Sequence, residues 1–126
     1  MIETTLETRW TDFDALGHVT HAAYPVYLDE ARDRYLQATI GGFTDWPCVV
    51  AHVSIDYVRE IRYPAPTVTV RTRVVDVGTS SVTFEQEVRG PDGEVAAAAR
   101  SVVVAWDEQT RSARPIEAVA RSRLTA

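Results

Sequence analysis

One cysteine, Cys48, stands in the whole chain, so no intrachain disulfide can form. The usual structural zinc sets need at least two thiolates or a dense histidine cluster, and neither is present, so no metal is expected. No apolar run reaches 18 residues, which excludes a membrane-spanning helix and makes a membrane partner unexpected. The opening residues Met1-Ile2-Glu3-Thr4-Thr5 lack the basic stretch and following apolar run of a signal peptide, so the expected location is cytoplasmic. Positive charge is in deficit: 13 basic residues against 18 acidic ones give a formal net charge of -5. Non-specific nucleic-acid binding needs a basic surface to replace counterions, so no nucleic-acid partner is expected. A few local arginines can still hold an anionic small ligand. Internal repeats, low-complexity segments and linkers are absent as well.

What remains fits one globular domain over residues 1–126. The apolar fraction of 45% and charged fraction of 25% are ordinary, and the length is enough to bury a core. Ile2 to Arg9 alternates weakly and reads as a first strand. Trp10 to Ala22 has no periodicity and reads as a loop. Tyr24, Leu28, Ala31 and Tyr35 fall at i, i+4, i+7 and i+11, which places them on one helical face. Pro25 stands near the start, where a missing N–H costs nothing, and Gly41-Gly42 supplies the stop. A helix from Ala23 to Ile40 spans about 27 Å at 1.5 Å per residue, enough to cross a small sheet.

Beyond the helix the period changes to two. Val49, Ala51, Val53, Ile55 and Tyr57 alternate with Val50, His52, Ser54, Asp56 and Val58. Tyr63-Pro64-Ala65-Pro66 interrupts the pattern, and Thr67 to Val77 is rich in the Val and Thr that strands favour. Val82, Phe84, Gln86 and Val88 alternate with polar neighbours, as on a strand with one wet face. Gly90-Pro91-Asp92-Gly93 is a hairpin turn, since Pro presets its φ and the glycines permit positive φ. Glu94 to Trp106 is the last strand, and its alanine-rich centre leaves room for a helix to come close. Arg114-Pro115-Ile116 is the candidate start of a short terminal helix. The expected architecture is α+β: a curved five-stranded antiparallel sheet wrapped around one long helix. The apolar Val50 and Val58 on the second face of their strand point to a partner subunit.

The chemistry concentrates in the loop before the helix. Asp12, Asp14, His18 and His21 put two carboxylates and two imidazoles within ten residues, and the loop leads straight to a helix N-terminus. Unpaired N–H groups and the positive end of the helix dipole favour negative charge there, such as an oxyanion at an acyl carbon. A nearby carboxylate can act as nucleophile or as general base toward water. On residue types alone, the same loop is also read as a polar segment whose Asp and Thr side chains cap turns.

The stretch Asp12-Phe13-Asp14-Ala15-Leu16-Gly17-His18-Val19, followed by Tyr24 and by Glu30-Ala31-Arg32, resembles the signature of hydroxybenzoyl-CoA-thioesterase-like hot-dog proteins. The likeness continues more loosely through Arg62-Tyr63-Pro64 and Val77-Gly78-Thr79-Ser80-Ser81 to Asp107. It implies the hot-dog fold and hydrolysis of an acyl-CoA or acyl-carrier-protein thioester to free acid and thiol. It also implies a homodimer or homotetramer with sites between subunits. The motif's second Asp is the family's catalytic carboxylate and falls on Asp14. The backbone N–H that polarises the thioester carbonyl falls near His21. Thr20-His21 stands where many members carry Asn-Asn, which leaves the roles of these two side chains and the acyl group open.

Around Asp14 the expected substrate-binding residues are His18, Thr20, His21, Tyr24, Arg59 and Arg62. Asp12 is expected to bond loop backbone, because two adjacent ionised carboxylates disfavour each other. His18 is read as a loop-fixing hydrogen bonder and His21 as lining the site. Tyr24 is read as core-facing and only marginally a site wall. Cys48 lacks a neighbouring base, so it is not expected to be a nucleophile, and no cofactor is expected. His52 is read as a packing residue. Arg59, Arg62, Arg71 and Arg73 are candidates for CoA phosphates, because guanidinium forks suit phosphate oxygens. Two other functions stand beside hydrolysis: a hot-dog dehydratase or hydratase, which the Asp-x-Asp loop disfavours, and a non-catalytic acyl-CoA-binding protein, which the presence of Asp14 disfavours.

Overall fold

Pro25 near one end and Gly41 at the other bound the helix that organises the fold. In the computed structural model, which describes residues 1–126, strand β1 (Ile2–Glu7) leads through two single 3-10 turns, Trp10–Asp12 and His21–Ala23, into helix α1 (Tyr24–Thr39). Gly41, at φ 111°, adopts a left-handed conformation, and its N–H donates to the Leu36 carbonyl at 2.7 Å, closing the last turn. Strands β2 (Cys48–Tyr57), β3 (Thr67–Val77), β4 (Ser81–Arg89) and β5 (Val95–Asp107) follow. A two-residue β6 (Ser112–Ala113) and helix α2 (Ala118–Leu124) end the chain. The terminal helix thus starts a few residues beyond Arg114-Pro115-Ile116.

The sheet runs β1-β3-β4-β5-β2, every neighbouring pair antiparallel, with β6 on β5. It curls as a half-barrel around α1. Alternate residues of β3, β4 and β5 bury against the helix, among them Val70, Phe84 and Val103. Each fully buried aliphatic or aromatic side chain of this kind stabilises the fold by about 1.5–3 kcal/mol. Ala31 of α1 shares one core cluster with Ala97 and Ala99 of β5.

The core is two apolar clusters with a polar belt between them. One cluster gathers around Leu28, Val70 and Ala97, the other around Leu36, Phe84 and Val103. Between them Arg32, 2% exposed, donates to Gln86 Oε1 and to Ser101 Oγ at 3.1 Å each, and to Asp29 Oδ1 at 3.2 Å. Gln86 Nε2 in turn donates to the Leu28 carbonyl at 3.0 Å and to Thr72 Oγ1 at 3.1 Å. Burial lowers the affinity of the Arg32 guanidinium for its proton, and Asp29 opposes that shift.

Strand β2 departs from simple alternation. A register shift between Val50 and His52 moves Val50 to the inner face, opposite Val103, with Val53, Ile55 and Tyr57 opposite Ser101, Ala99 and Ala97. The expectation that Val50 shares a face with His52 is therefore corrected: the bulge reverses the faces. The helix does not cover this end of the half-barrel, and Val50, Val53 and Tyr57 stay exposed. β2 is also an edge strand of ten residues bonded only to β5.

Candidate functional site

The loop carrying Asp14 is a fold-back held from both sides. Asp14 N–H donates to the His18 carbonyl at 2.9 Å and Gly17 N–H to the Asp14 carbonyl at 3.1 Å, while Phe13 pairs with Val19. Gly17 turns the chain at φ 80°, a conformation that costs glycine nothing. The segment after β2 secures the outside of the turn: Val19 N–H donates to the Ile61 carbonyl and Tyr63 N–H to the Gly17 carbonyl, both at 2.9 Å. The rings of Phe13 and Tyr63 meet edge to face at 5.1 Å.

Asp14 is oriented within this turn. Its Oδ1 accepts the Leu16 N–H at 2.9 Å and, more weakly, the His18 N–H at 3.4 Å. Its Oδ2 lies 3.1 Å from His18 Nδ1, which is also 3.3 Å from the Val19 carbonyl. With two oxygen acceptors before it, Nδ1 is the ring nitrogen that carries the proton. The Asp14 side chain keeps 30% of its surface exposed and that of His18 28%, so both remain accessible.

Asp12, two residues earlier, is buried and committed. Its carboxylate accepts the Tyr27 hydroxyl at 2.7 Å, the Arg9 N–H at 3.0 Å and the Arg9 guanidinium at 3.1 Å. Burial pushes its pKa up, but these donors outweigh burial and hold the carboxyl below its usual range. Burial and the Asp12 contact push the Tyr27 hydroxyl well above its ordinary value. Asp12 anchors the loop as expected, although side chains supply two of the bonds. Tyr27 and Arg9 join the site through Asp12, and the one sequence signal for either is Tyr27 on the same helical face as Tyr24 and Leu28.

The fold-back runs into the start of α1. Thr20 N–H donates to the Asp12 carbonyl at 2.8 Å, and Ala23 N–H to the Thr20 carbonyl at 3.0 Å. Tyr24 N–H donates to the His21 carbonyl. The N–H groups of His21 and Ala22 come before the first bond of the 3-10 turn, so they have no acceptor within it, and the Thr20 side chain does not cap them. The His21 side chain is exposed and Thr20 half-buried. Tyr24 is in the core, its ring edge-on to Tyr57 at 5.1 Å, so its contact with the site runs through Tyr57.

The four candidate arginines part company. Arg62 pairs through its backbone with His18, which brings it beside the loop. Its side chain is exposed and only loosely paired, 3.7 Å from Glu60. Arg59 is exposed and makes no ion pair, and both arginines line a groove of about 370 Å³ that continues to Pro91 and Asp92. Arg71 and Arg73 flank the inward Thr72, so they point to the outer face of the sheet, where they pair with Glu3 and Glu85.

Burial pushes the Cys48 thiol up to about 11, partly offset by Arg32. His52 lies exposed on β2 and is not the packed residue expected, because its pairing with Val102 puts it on the outer face of the sheet, away from the helix. Asp14 and His18 offer two ligand atoms, and no group of three or more His, Cys, Asp or Glu side chains converges on a point that would hold a metal.

Residues 8–124 match the family model of the thioesterase-like superfamily. A thioesterase from Thermus thermophilus, solved in complex with coenzyme A and zinc, is 32% identical. The alignment covers 98% of this chain and 97% of that one, with a TM-score of 0.87. A predicted thioesterase from Bacillus stearothermophilus is 28% identical over 98% of this chain and 92% of its own, with a TM-score of 0.87. The DHNA-CoA thioesterase of Staphylococcus aureus, 22% identical over 90% of this chain and 78% of its own, shares the fold with a TM-score of 0.82. No curated protein matches the chain. With a half-barrel wrapped around one helix, and a family match that takes in the Asp14 loop and all but the first seven and last two residues, the chain belongs to the thioesterase-like superfamily and has the hot-dog fold.

Proposed function

We propose that residues 1–126 act as one domain that hydrolyses an acyl-CoA thioester to free acid and CoA, with Asp14 as the catalytic carboxylate. One observation carries the reading. Asp14 is held by His18 and two loop N–H groups yet stays accessible, in a fold-back that leads into the uncapped N–H groups of His21 and Ala22. A substrate carbonyl at the start of α1 accepts these donors, which stabilise the oxyanion as it forms.

Asp14 then has two routes. As nucleophile it attacks the acyl carbon, the C–S bond breaks, the thiolate leaves and takes a proton, and water hydrolyses the mixed anhydride. As general base it takes a proton from water while the water oxygen attacks the acyl carbon, the C–S bond then breaks, and the thiolate leaves and takes up that proton. His18 fixes the carboxylate in either route. Thr20 and the His21 side chain border the acyl group. Tyr24 supports the same wall from within the core. Arg59 and Arg62 bind CoA phosphates, a reading favoured by the coenzyme A bound to the Thermus relative. Neither route needs a cofactor.

The open end of the half-barrel and the uncovered β2 support self-association to a homodimer or homotetramer. No helix is long and apolar enough to cross a membrane, and we place the protein in the cytoplasm. The test is a panel of acyl-CoAs and acyl-carrier proteins assayed with a thiol-trapping reagent, with the wild type beside Asp14→Asn. Thiol release by the wild type alone supports the reading; binding without release by either protein points to a non-catalytic acyl-CoA binder.

A further inference from the structure

We infer that Tyr57, on the edge strand β2, is a positioning residue for this site: its hydroxyl holds the His21 carbonyl and so aims the uncapped Ala22 N–H at the start of α1. The inference rests on the thioester reading and adds a residue from a distant strand to it. Tyr57 Oη donates to the His21 carbonyl at 3.3 Å. That carbonyl belongs to the same planar peptide unit as the Ala22 N–H, so fixing the direction of one fixes the other. Tyr24 N–H donates to the same oxygen, which has lone pairs for both donors. A second donor polarises the unit further and makes its N–H a better partner for negative charge.

The ring of Tyr57 is placed to do this. It stands edge-on to Tyr24, with centroids 5.1 Å apart and planes at 84°. Tyr24 is edge-on to Tyr27, and Tyr27 donates to Asp12. Tyrosines therefore hold both ends of the segment that carries Asp14, with Tyr27 at Asp12 and Tyr57 at His21. Tyr57 itself is 51% exposed, so filling the core does not account for it.

Tyr57→Phe removes the hydroxyl and keeps the ring on Tyr24. The expected result is a fall in kcat of about three- to tenfold, smaller than the loss of a whole oxyanion donor, with KM almost unchanged. Without substrate, the His21 carbonyl 13C and Ala22 amide 15N resonances should shift, while melting temperature and sedimentation match the wild type. Wild-type kcat, unmoved resonances, or a kcat loss accompanied by a lower melting temperature or altered mass would each overturn the inference. Asp14→Asn, run in parallel, separates the two ideas. An inactive Asp14→Asn beside an unaffected Tyr57→Phe defeats only the Tyr57 role, whereas an active Asp14→Asn defeats the site reading. The resonance shifts test the hydrogen bond whichever way the kinetics fall.

Discussion

His18 Nδ1 stands 3.1 Å from Asp14 Oδ2 across a turn that Gly17 makes possible. The imidazole and two backbone N–H groups leave the carboxylate little freedom to rotate, and none of these contacts buries it. Such a group is ready to act on a substrate without a large reorganisation at the moment of reaction.

Asp14→Asn keeps the side-chain size and removes the charge. Turnover should fall about a hundredfold or more, while acyl-CoA binding persists. Single turnover in isotope-labelled water then separates the two routes. Label in the Asp14 carboxylate indicates the mixed anhydride; label in the product acid alone indicates direct attack by water. Near-wild-type turnover would remove Asp14 from the mechanism.

Asp12→Asn should cost stability more than chemistry. The substitution weakens the bonds from Arg9 and Tyr27, a loss of about 1–3 kcal/mol. The folded-state pKa of Asp12 is depressed, so its ionisation contributes stability above the ordinary carboxylate range. That contribution is lost as pH falls through the lowered folded-state value. Thermal unfolding from pH 7 into acid should show the gap between wild type and variant narrowing; a gap independent of pH contradicts this role.

Within the polar belt, Gln86→Leu should be worse than Arg32→Met. Removing Gln86 takes an acceptor from a buried guanidinium and a donor from the Leu28 carbonyl, about 3 kcal/mol or more, because an unsatisfied buried polar group costs more when it is charged. Removing Arg32 leaves Gln86 and Ser101 each short of a partner, about 1–3 kcal/mol, while Asp29, half exposed, is solvated by water. The double variant should recover part of the loss in urea unfolding, because both changes act on one network. Simple additivity would argue against that coupling.

Arg59→Ala combined with Arg62→Ala should raise KM for an acyl-CoA about tenfold and leave kcat in place, as expected when ground-state phosphate contacts are removed. The matching acyl-pantetheine, which lacks the nucleotide phosphates, should show no such change. Equal effects on both substrates would place the phosphates elsewhere.

Light scattering of the wild type should give a dimer mass or higher. Val50→Lys with Val53→Lys puts charge on the uncovered inner face of β2 and should lower that mass. A wild-type monomer at micromolar concentration would count against self-association through this strand.

Periodicity and punctuation made much of the architecture readable in advance. The i, i+4, i+7, i+11 positions from Tyr24 to Tyr35 are the buried face of α1, and the period-two stretches are β2 to β5. Gly90-Pro91-Asp92-Gly93 turns as read, with Gly93 at φ 81° donating to the Gly90 carbonyl. The loop carrying Asp14 stood out because its chemistry is local: the turn, His18 and the helix start all lie within ten residues. Long-range pairing was not readable. A pattern of period two cannot show the bulge after Val50, because the bulge is defined against β5. Nor can it show that Arg32 is buried, that Tyr27 and Arg9 hold Asp12, or that Tyr57 reaches His21. Apart from Arg9, a local partner three residues from Asp12, each of those depends on a partner brought near only by the tertiary fold. The same holds for the arginines, alike in sequence, of which folding pairs Arg71 and Arg73 closely with acids, holds Arg62 only loosely at Glu60 and leaves Arg59 unpaired.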